Sequence, residues 1–515
     1  MSQIIPRRKF IRSAALAGGS MVLLPHLKGN AMVLASPANG YFLNEFGIDE
    51  ALCRKLLSKA LSRGGDFADL YFEHTVSSFL GLEDGKVNRS YGDITLGVGI
   101  RTVKGDQVGY GFTQDLTEES MMSVAATAAS LCDTSATAVS DEFSRPALKN
   151  YYPVDPGLIE IPGSLKLPVL QQINEKCFSF SPLVVKVNAG FSHDLKHIMV
   201  VTSDGIIAED TQPSGYIYAS VVVEKDGKRE SSGWNLGGKR DFSYYTSEVV
   251  EKVASKAVNN ALKLFDAIQP PAGEIPVVLG PGVTGILLHE AIGHGMEADF
   301  NRKKISTYST MLNKKVAEPF VTIIDDATNL NLSGSINVDD EGVPGKKTIL
   351  VENGILTGYL HDKISAKHYG VEPTGNGRRQ SFEHYPLPRM RNTYMLGGDA
   401  MPEDVVKAAG NGIYVEDVSN GQVKIGEGDF AFYVSQGRMI ENGKLTAPVK
   451  DINIMGNGPK MLSNIVMAAN DLEMFEGGGG MCGKNGQGVR VSFGLPTCLV
   501  KSMTVGGTRQ KGGAS

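Results

Sequence analysis

Ile268-Gln269-Pro270-Pro271-Ala272-Gly273 divides this sequence into two stretches of different grain. Two adjacent prolines cannot continue a helix or a central strand, so the chain breaks here. Upstream, helical spacing recurs. Val249, Val253, Ala257, Ala261 and Leu264 share a face of a helix expected over 242–265. A helix over 50–62 carries Leu52, Leu56, Leu57, Ala60 and Leu61 and stops at Gly64-Gly65. Thr117 opens a third helix to Leu131, and 165–178 reads as a fourth. Between them lie strands at 68–72, 78–82, 94–102, 107–112, 186–189, 197–203, 206–210 and 214–224, with turns at Glu83-Asp84-Gly85-Lys86 and Lys104-Gly105-Asp106. The rhythm is not a strict βαβ alternation, so the class is α+β. Downstream, short strands with glycine turns dominate. Glu352-Asn353-Gly354-Ile355-Leu356 and Glu441-Asn442-Gly443-Lys444-Leu445 read as Asn-Gly hairpins.

The length of 515 residues suggests about three domains, whereas the proline break suggests two halves. Apolar residues at 42% and charged residues at 21% exclude a mainly disordered chain. A net charge of −5 argues against a nucleic-acid coat protein, which needs a basic excess. Glycine is the outlier: 61 residues, about 12% against a usual ~7%, with no collagen period. Such a surplus implies many tight turns and backbone approached closely. Five widely spaced cysteines, an odd number, do not make a disulfide framework.

Residues 1–35 read as an address. Arg7-Arg8-Lys9-Phe10-Ile11-Arg12 is a twin-arginine pattern, and Ser13 to Leu24 is a weakly apolar run interrupted by Gly18-Gly19. The run is shorter than the about 20 apolar residues of a membrane span. Val33-Leu34-Ala35 suits cleavage after Ala35, and the first cysteine, Cys53, is too distant for a lipid anchor. Export by this route, to a bacterial periplasm, is the expectation, with no stable membrane span after cleavage. Because the route carries folded proteins, it favours a bound metal or cofactor.

The chemistry concentrates on Leu288-His289-Glu290-Ala291-Ile292-Gly293-His294-Gly295, on a helix expected from Thr284 onward. This is H-E-x-x-x-H, one residue longer than the H-E-x-x-H zinc motif. Residues five apart differ by about 140° around an α-helix, so both imidazoles reach one ion only if the helix is widened. A π-bulge does this, and Gly293 and Gly295 lower the cost of distortion. A purely structural histidine pair is the competing reading. Glu290 favours the catalytic one, as a carboxylate beside a metal-bound water. A catalytic zinc wants a third protein ligand. Glu297, Asp299, His361, His368, His384, Cys482 and Cys498 are the candidates, and spacing does not choose among them. Cys482 has the most suggestive setting, following Gly477 to Gly480, with Lys484 nearby to favour thiolate. An ordinary buried cysteine in a flexible loop is the alternative.

Several motifs in order resemble the TldD/PmbA family. They are His289-Glu290-x-x-x-His294, Asp339-Asp340-Glu341-Gly342-x-Pro344, Arg378-Arg379-Gln380-Ser381-Phe382-Glu383-His384, Pro386-Leu387-Pro388-Arg389-Met390, Gly428-Asp429-Phe430 and Met481-Cys482-Gly483-Lys484-x-Gly486-Gln487. The resemblance implies a zinc metallopeptidase of the TldD type, with His289, His294 and Cys482 holding Zn2+ and Glu290 as general base. It implies an N-terminal α/β domain with a curved mixed sheet over 36–268. The β-rich, barrel-like domain over 269–515 carries the motif helix. It also implies a homodimer, or a heterodimer with a PmbA/TldE-like paralogue, acting on peptides rather than nucleic acid. The twin-arginine leader departs from the family. Unfolded or short peptides held as an added β-strand would explain glycines at 477–480 and 375–377, where backbone would pass. Tight turns explain them equally. Arg378, Arg379, Arg389 and Arg391 are candidates for a substrate carboxylate, although structural pairing with Asp or Glu is favoured. Tyr385 and Tyr394 share that ambiguity. Two rival functions stand beside the peptidase: a non-catalytic peptide-binding or assembly subunit with a structural metal, and a metal-dependent amidase on a non-peptide substrate.

Overall fold

The computed structural model describes residues 40–478 and 480–507; the expected leader, 1–35, lies outside them. Residues 67–238 form one six-stranded sheet: β1 (Phe67–Glu83), β2 (Lys86–Lys104), β3 (Gln107–Thr113), β4 (Val184–Thr202), β5 (Ile207–Lys225) and β6 (Lys228–Gly238), in the order β3-β2-β1-β4-β5-β6. Every pairing is antiparallel. The expected mixed sheet is corrected here, because tight hairpins at Asp84-Gly85, Gly105 and Asp226-Gly227, all at positive φ, reverse the chain between neighbours. The eight short strands expected along this stretch merge into fewer, longer ones. Polar interruptions such as Thr75 to Ser77 continue as strand because β2 and β4 flank β1 on both sides.

The sheet buries both faces, following the period-2 alternation of a strand. Leu70, Phe72, Leu80 and Leu82 of β1 turn to one face, where helices Glu50–Ala60, Glu118–Ala129, Gly163–Phe180 and Ser247–Lys263 cover them. Asp49, Thr117 and Thr246 cap three of these helices through their side chains. Tyr71, Ile198, Val200 and Ala208 turn to the other face and pack on Val338 and Phe382 of the C-terminal half.

Past the prolines the α+β class holds, and the C-terminal half contains a closed five-stranded barrel. Strand Gly273–Leu279 lies between Gly412–Lys424, its parallel neighbour, and Cys498–Gly507. Ile452–Asn457 and Asp429–Glu441 complete the ring back to Gly412–Lys424. A second sheet runs 355–356, 347–352, 323–326, 392–395, 492–495 and 473–474. The Asn353-Gly354 and Asn442-Gly443 turns have positive φ at both residues, as type I′ hairpins require.

A buried ion network closes the seam between the two halves. Arg101 of β2 donates to Asp69 of β1 (2.6 Å) and to Glu341 (2.7 Å), and Arg379 reaches the other Asp69 oxygen (3.2 Å). All four side chains are fully enclosed, so each charge depends on its partners. Replacing Asp69 with Ala leaves Arg101 with Glu341 alone and takes the carboxylate partner from Arg379, and is expected to destabilise the fold by about 3–5 kcal/mol. Urea unfolding followed by circular dichroism checks this.

Candidate metal centre

The helix entering the motif is α-helical over Ile286–Leu288, widens to a π turn over His289–Gly293, and tightens to a 3₁₀ turn over His294–Met296. The expected widening is present, and it puts both imidazoles on one side. Their ring centroids lie 5.2 Å apart. Gly293, however, has φ −59° and ψ −48°, an ordinary helical conformation. Its glycine answers to space: a Cβ there would lie 2.0 Å from Met390 Sδ, and one at Gly295 would lie 2.6 Å from the Tyr308 ring. Gly458 seats against the π turn itself, its would-be Cβ 1.9 Å from the Ala291 carbonyl oxygen.

Cys482 arrives on a separate hairpin. Met481–Lys484 pairs with Gln487–Arg490 through Asn485-Gly486, another type I′ turn. That Asn-Gly signal was legible in the sequence beside the glycine run. Arg389, wholly buried, donates to the carbonyls of Cys482 and Gln487, fixing the hairpin's backbone.

His289, His294 and Cys482 are all buried, and one donor atom from each lies within 4.8 Å of the others. Cys482 Sγ is 3.3 Å from His294 Nε2. Glu297 Oε2 takes the other ring nitrogen of His294 at 3.0 Å, which orients the ring and leaves Nε2 towards the thiol. Neither ring nitrogen of His289 has a hydrogen-bond partner among the described residues. Two orphaned imidazole nitrogens, a thiol and a second oriented imidazole form a donor set that fits a tetrahedral, borderline-soft cation such as zinc. Burial alone would raise the Cys482 thiol, but the imidazoles of His294 and His289 hold it well below its ordinary range. Burial likewise works against Glu297, yet Lys484 and His294 bring its carboxyl down to about 2.

The other candidates have different partners. Glu297 orients His294, and Asp299 accepts from Lys484 Nζ at 2.7 Å. Lys484 also pairs with Glu297 (3.1 Å), so its charge serves those carboxylates, whereas the two imidazoles act on the Cys482 thiol. His361 packs beside Tyr359 and Tyr369, His368 is exposed, His384 Nδ1 is 3.1 Å from Ser381 Oγ, and Cys498 lies in a barrel strand. All five cysteines are buried and unpaired.

Glu290 is one-fifth exposed and faces a cleft of about 790 Å³, which His289 also lines. β5 and β6 form its opposite wall through Tyr216, Tyr218 and Trp234. The four arginines have protein partners. Arg378 donates to Met390 and Arg490 carbonyls (2.6 and 2.8 Å), Arg379 pairs with Asp69, and Arg391 with Asp325 (2.7 Å). Tyr394 donates to Asp326 (3.1 Å), while Tyr385 stays exposed. Gly377 lies against Glu341 and Asn376 donates to Asp325, so 375–377 is filled by protein. Gly477 and Gly478 seat against Asn235 and Tyr216, where the halves meet, and Gly480 lines the cleft; Gly479 lies outside the described residues.

Residues 272–507 match the PmbA/TldA metallopeptidase C-terminal domain, 68–132 match domain 1 and 156–265 the central domain of that family. A metalloprotease TldD homolog of Buchnera aphidicola is 36% identical over 88% of this chain and 95% of its own. A zinc metalloprotease TldD homolog of Saccharolobus solfataricus is 30% identical over 88% and 99%. Crystalline TldE from Thermococcus kodakarensis shares the fold, with TM-score 0.70 and 17% identity over 89% of this chain and 99% of that one.

The packing at Gly293 has a direct consequence. Gly293→Ala sets a methyl group against Met390 and is expected to cost about 1–3 kcal/mol. Pairing it with Met390→Ala should recover part of that loss. Thermal melts of the two single variants and the double variant read the coupling.

Proposed function

The chain belongs to the PmbA/TldD metallopeptidase family, and from that premise we propose that it is a zinc peptidase cutting unfolded or short peptides. The observation that carries this is the convergence of three buried donors, His289, His294 and Cys482, beneath a cleft that Glu290 faces. Three protein ligands with a carboxylate on the open side are the pattern of a catalytic site. A closed structural site would present a fourth donor, and the cluster contains three among the described residues.

His289, His294 and Cys482 would hold the ion, which when bound polarises a peptide carbonyl and lowers the pKa of water towards about 7. Glu290 takes the proton of the attacking water and returns it to the departing amine. Glu297 keeps His294 in the tautomer whose Nε2 is free, and Arg389 holds the Cys482 hairpin in register. β6 is the edge of its sheet and its Gly233, Trp234 and Asn235 line the cleft, which favours a peptide added as a strand. The shared fold of TldE supports assembly either with itself or with a TldE-like paralogue. The Arg7-Arg8 leader supports export to the periplasm, read by fractionating cells that express the full chain.

Glu290→Gln is expected to retain zinc by elemental analysis and lose about 10²–10⁴-fold in peptide cleavage. Native cleavage rates in that variant would sink the mechanism. Glu297→Gln is expected to weaken zinc about 10–100-fold through the loosened His294 ring, measured by chelator competition. Native mass of the purified protein, alone and with the paralogue, reads the assembly.

A further inference from the structure

The two cavities that meet at Met481 differ in charge. One, of about 640 Å³, is lined by Lys196, Lys239, Arg378 and Arg490 together with several carboxylates. The other is the cleft above the candidate metal centre. Among the described residues its lining contains no Lys and no Arg, and its only carboxylates are Glu290 and Asp417. Glu290 has a role in the proton transfers; Asp417 has none.

Asp417 reaches the cleft because the strand carrying it is irregular. The ladder between Gly412–Lys424 and Asp429–Glu441 shifts register on both sides of Asp417. Such bulges re-aim side chains, commonly beside active sites. Asp417 has no ion-pair partner within 4 Å among the described residues. Burial pushes its carboxyl up to about 6, opposed by the Val418 backbone N–H and by Lys256, whose ammonium is 5.2 Å from the Trp234 ring centre. Around Asp417 the cleft is walled by Tyr216, Tyr218, Trp234, Phe475 and Phe493. Aromatic faces carry negative charge density and attract cations at close range. The buried Trp234 Nε1 and Asn235 Oδ1 also lack partners among the described residues, and Asn235 supplies a further acceptor at the same wall.

We propose that Asp417 and the aromatic wall form a subsite for a cationic group of the substrate, an Arg or Lys side chain or a free α-ammonium. This rests on the peptidase reading and names its substrate class: peptides bearing a positive charge near the cleaved bond. An anionic side chain at the same place would meet two carboxylates, and Lys256, which acts on Asp417 from beside the Trp234 ring, is not among the described residues that line the cleft.

The test uses the full zinc-loaded chain and matched short peptides in which Arg, Lys, Gln or Glu is walked past the cleavage site. Arg and Lys are expected to exceed Glu by about tenfold in kcat/KM at one position. Asp417→Asn should bring that ratio close to unity, and Asp417→Lys should invert it in favour of Glu, which mere misfolding cannot do. About 1 M salt, with its Debye length of about 3 Å, should compress the wild-type ratio. Acetylating the peptides separates the sources: a preference lost on acetylation is for the α-ammonium, and one retained is for the side chain. Equal rates across the wild-type series, or a ratio unchanged in Asp417→Asn, overturns the proposal. If no peptide is cleaved, the peptidase reading fails, and affinity of the labelled peptides for the Glu290→Gln chain still decides the subsite. Tighter Arg than Glu peptides support it, and equal affinities overturn it.

Discussion

Two imidazoles five residues apart must face one point inside a packed core, and the site depends on that constraint. An α-helix cannot do it; a π turn can, at the cost of an irregular backbone that must be held from outside. Here it is held by contact. Met390 fills the space beside Gly293, Tyr308 covers Gly295, and Gly458 leaves room for the Ala291 carbonyl. Leu287, Leu288, Ile292 and Met296 bury the rest of the segment in the same core as the barrel strands. The turn that gathers His289 and His294 also leaves Glu290, between them in sequence, facing the cleft.

Around that turn the protein handles charge in layers. Lys484 bridges Glu297 and Asp299, and Glu297 in turn grips His294, so one buried ammonium supports one imidazole through a carboxylate. Arg389 fixes Cys482, on the opposite side, through its backbone carbonyl. Farther out, Asp69, Arg101, Glu341 and Arg379 join the sheet of the N-terminal half to the segments bearing the site. Cations thus serve scaffold and seam, while the cleft above Glu290 has no Lys or Arg in its lining among the described residues.

Much of this was readable along the chain. The spacing of His289 and His294 demanded a widened helix, and the helix is widened. The glycine run marked Cys482, and that residue does meet the two histidines. The reasons given to the glycines were less accurate. Gly293 has ordinary helical angles and is small because Met390, distant by 97 positions, occupies the place of its side chain. Gly477 is small because the Phe475 ring and Asn235 of β6 lie against it, and Gly478 because Gly215 and Tyr216 of β5 do. Lys484 was read as the neighbour that activates Cys482, two positions away and on the same buried face of the strand, yet its ammonium pairs with Glu297 and Asp299.

The sequence by itself determined the residue types, their spacing and the turns. Asn-Gly pairs at 353, 442 and 485 close hairpins because those residues tolerate positive φ wherever they stand. A His-Glu pair with a second His five residues on carries its own geometric demand. Tertiary structure alone decided which of the seven candidates meets the two histidines, that Glu297 instead hydrogen-bonds the far side of the His294 ring, and that Asp417 enters the cleft. Those outcomes depend on which distant strands lie side by side, and that is set by the burial of whole sheet faces and helix stripes, a property summed over the chain and carried by no local motif.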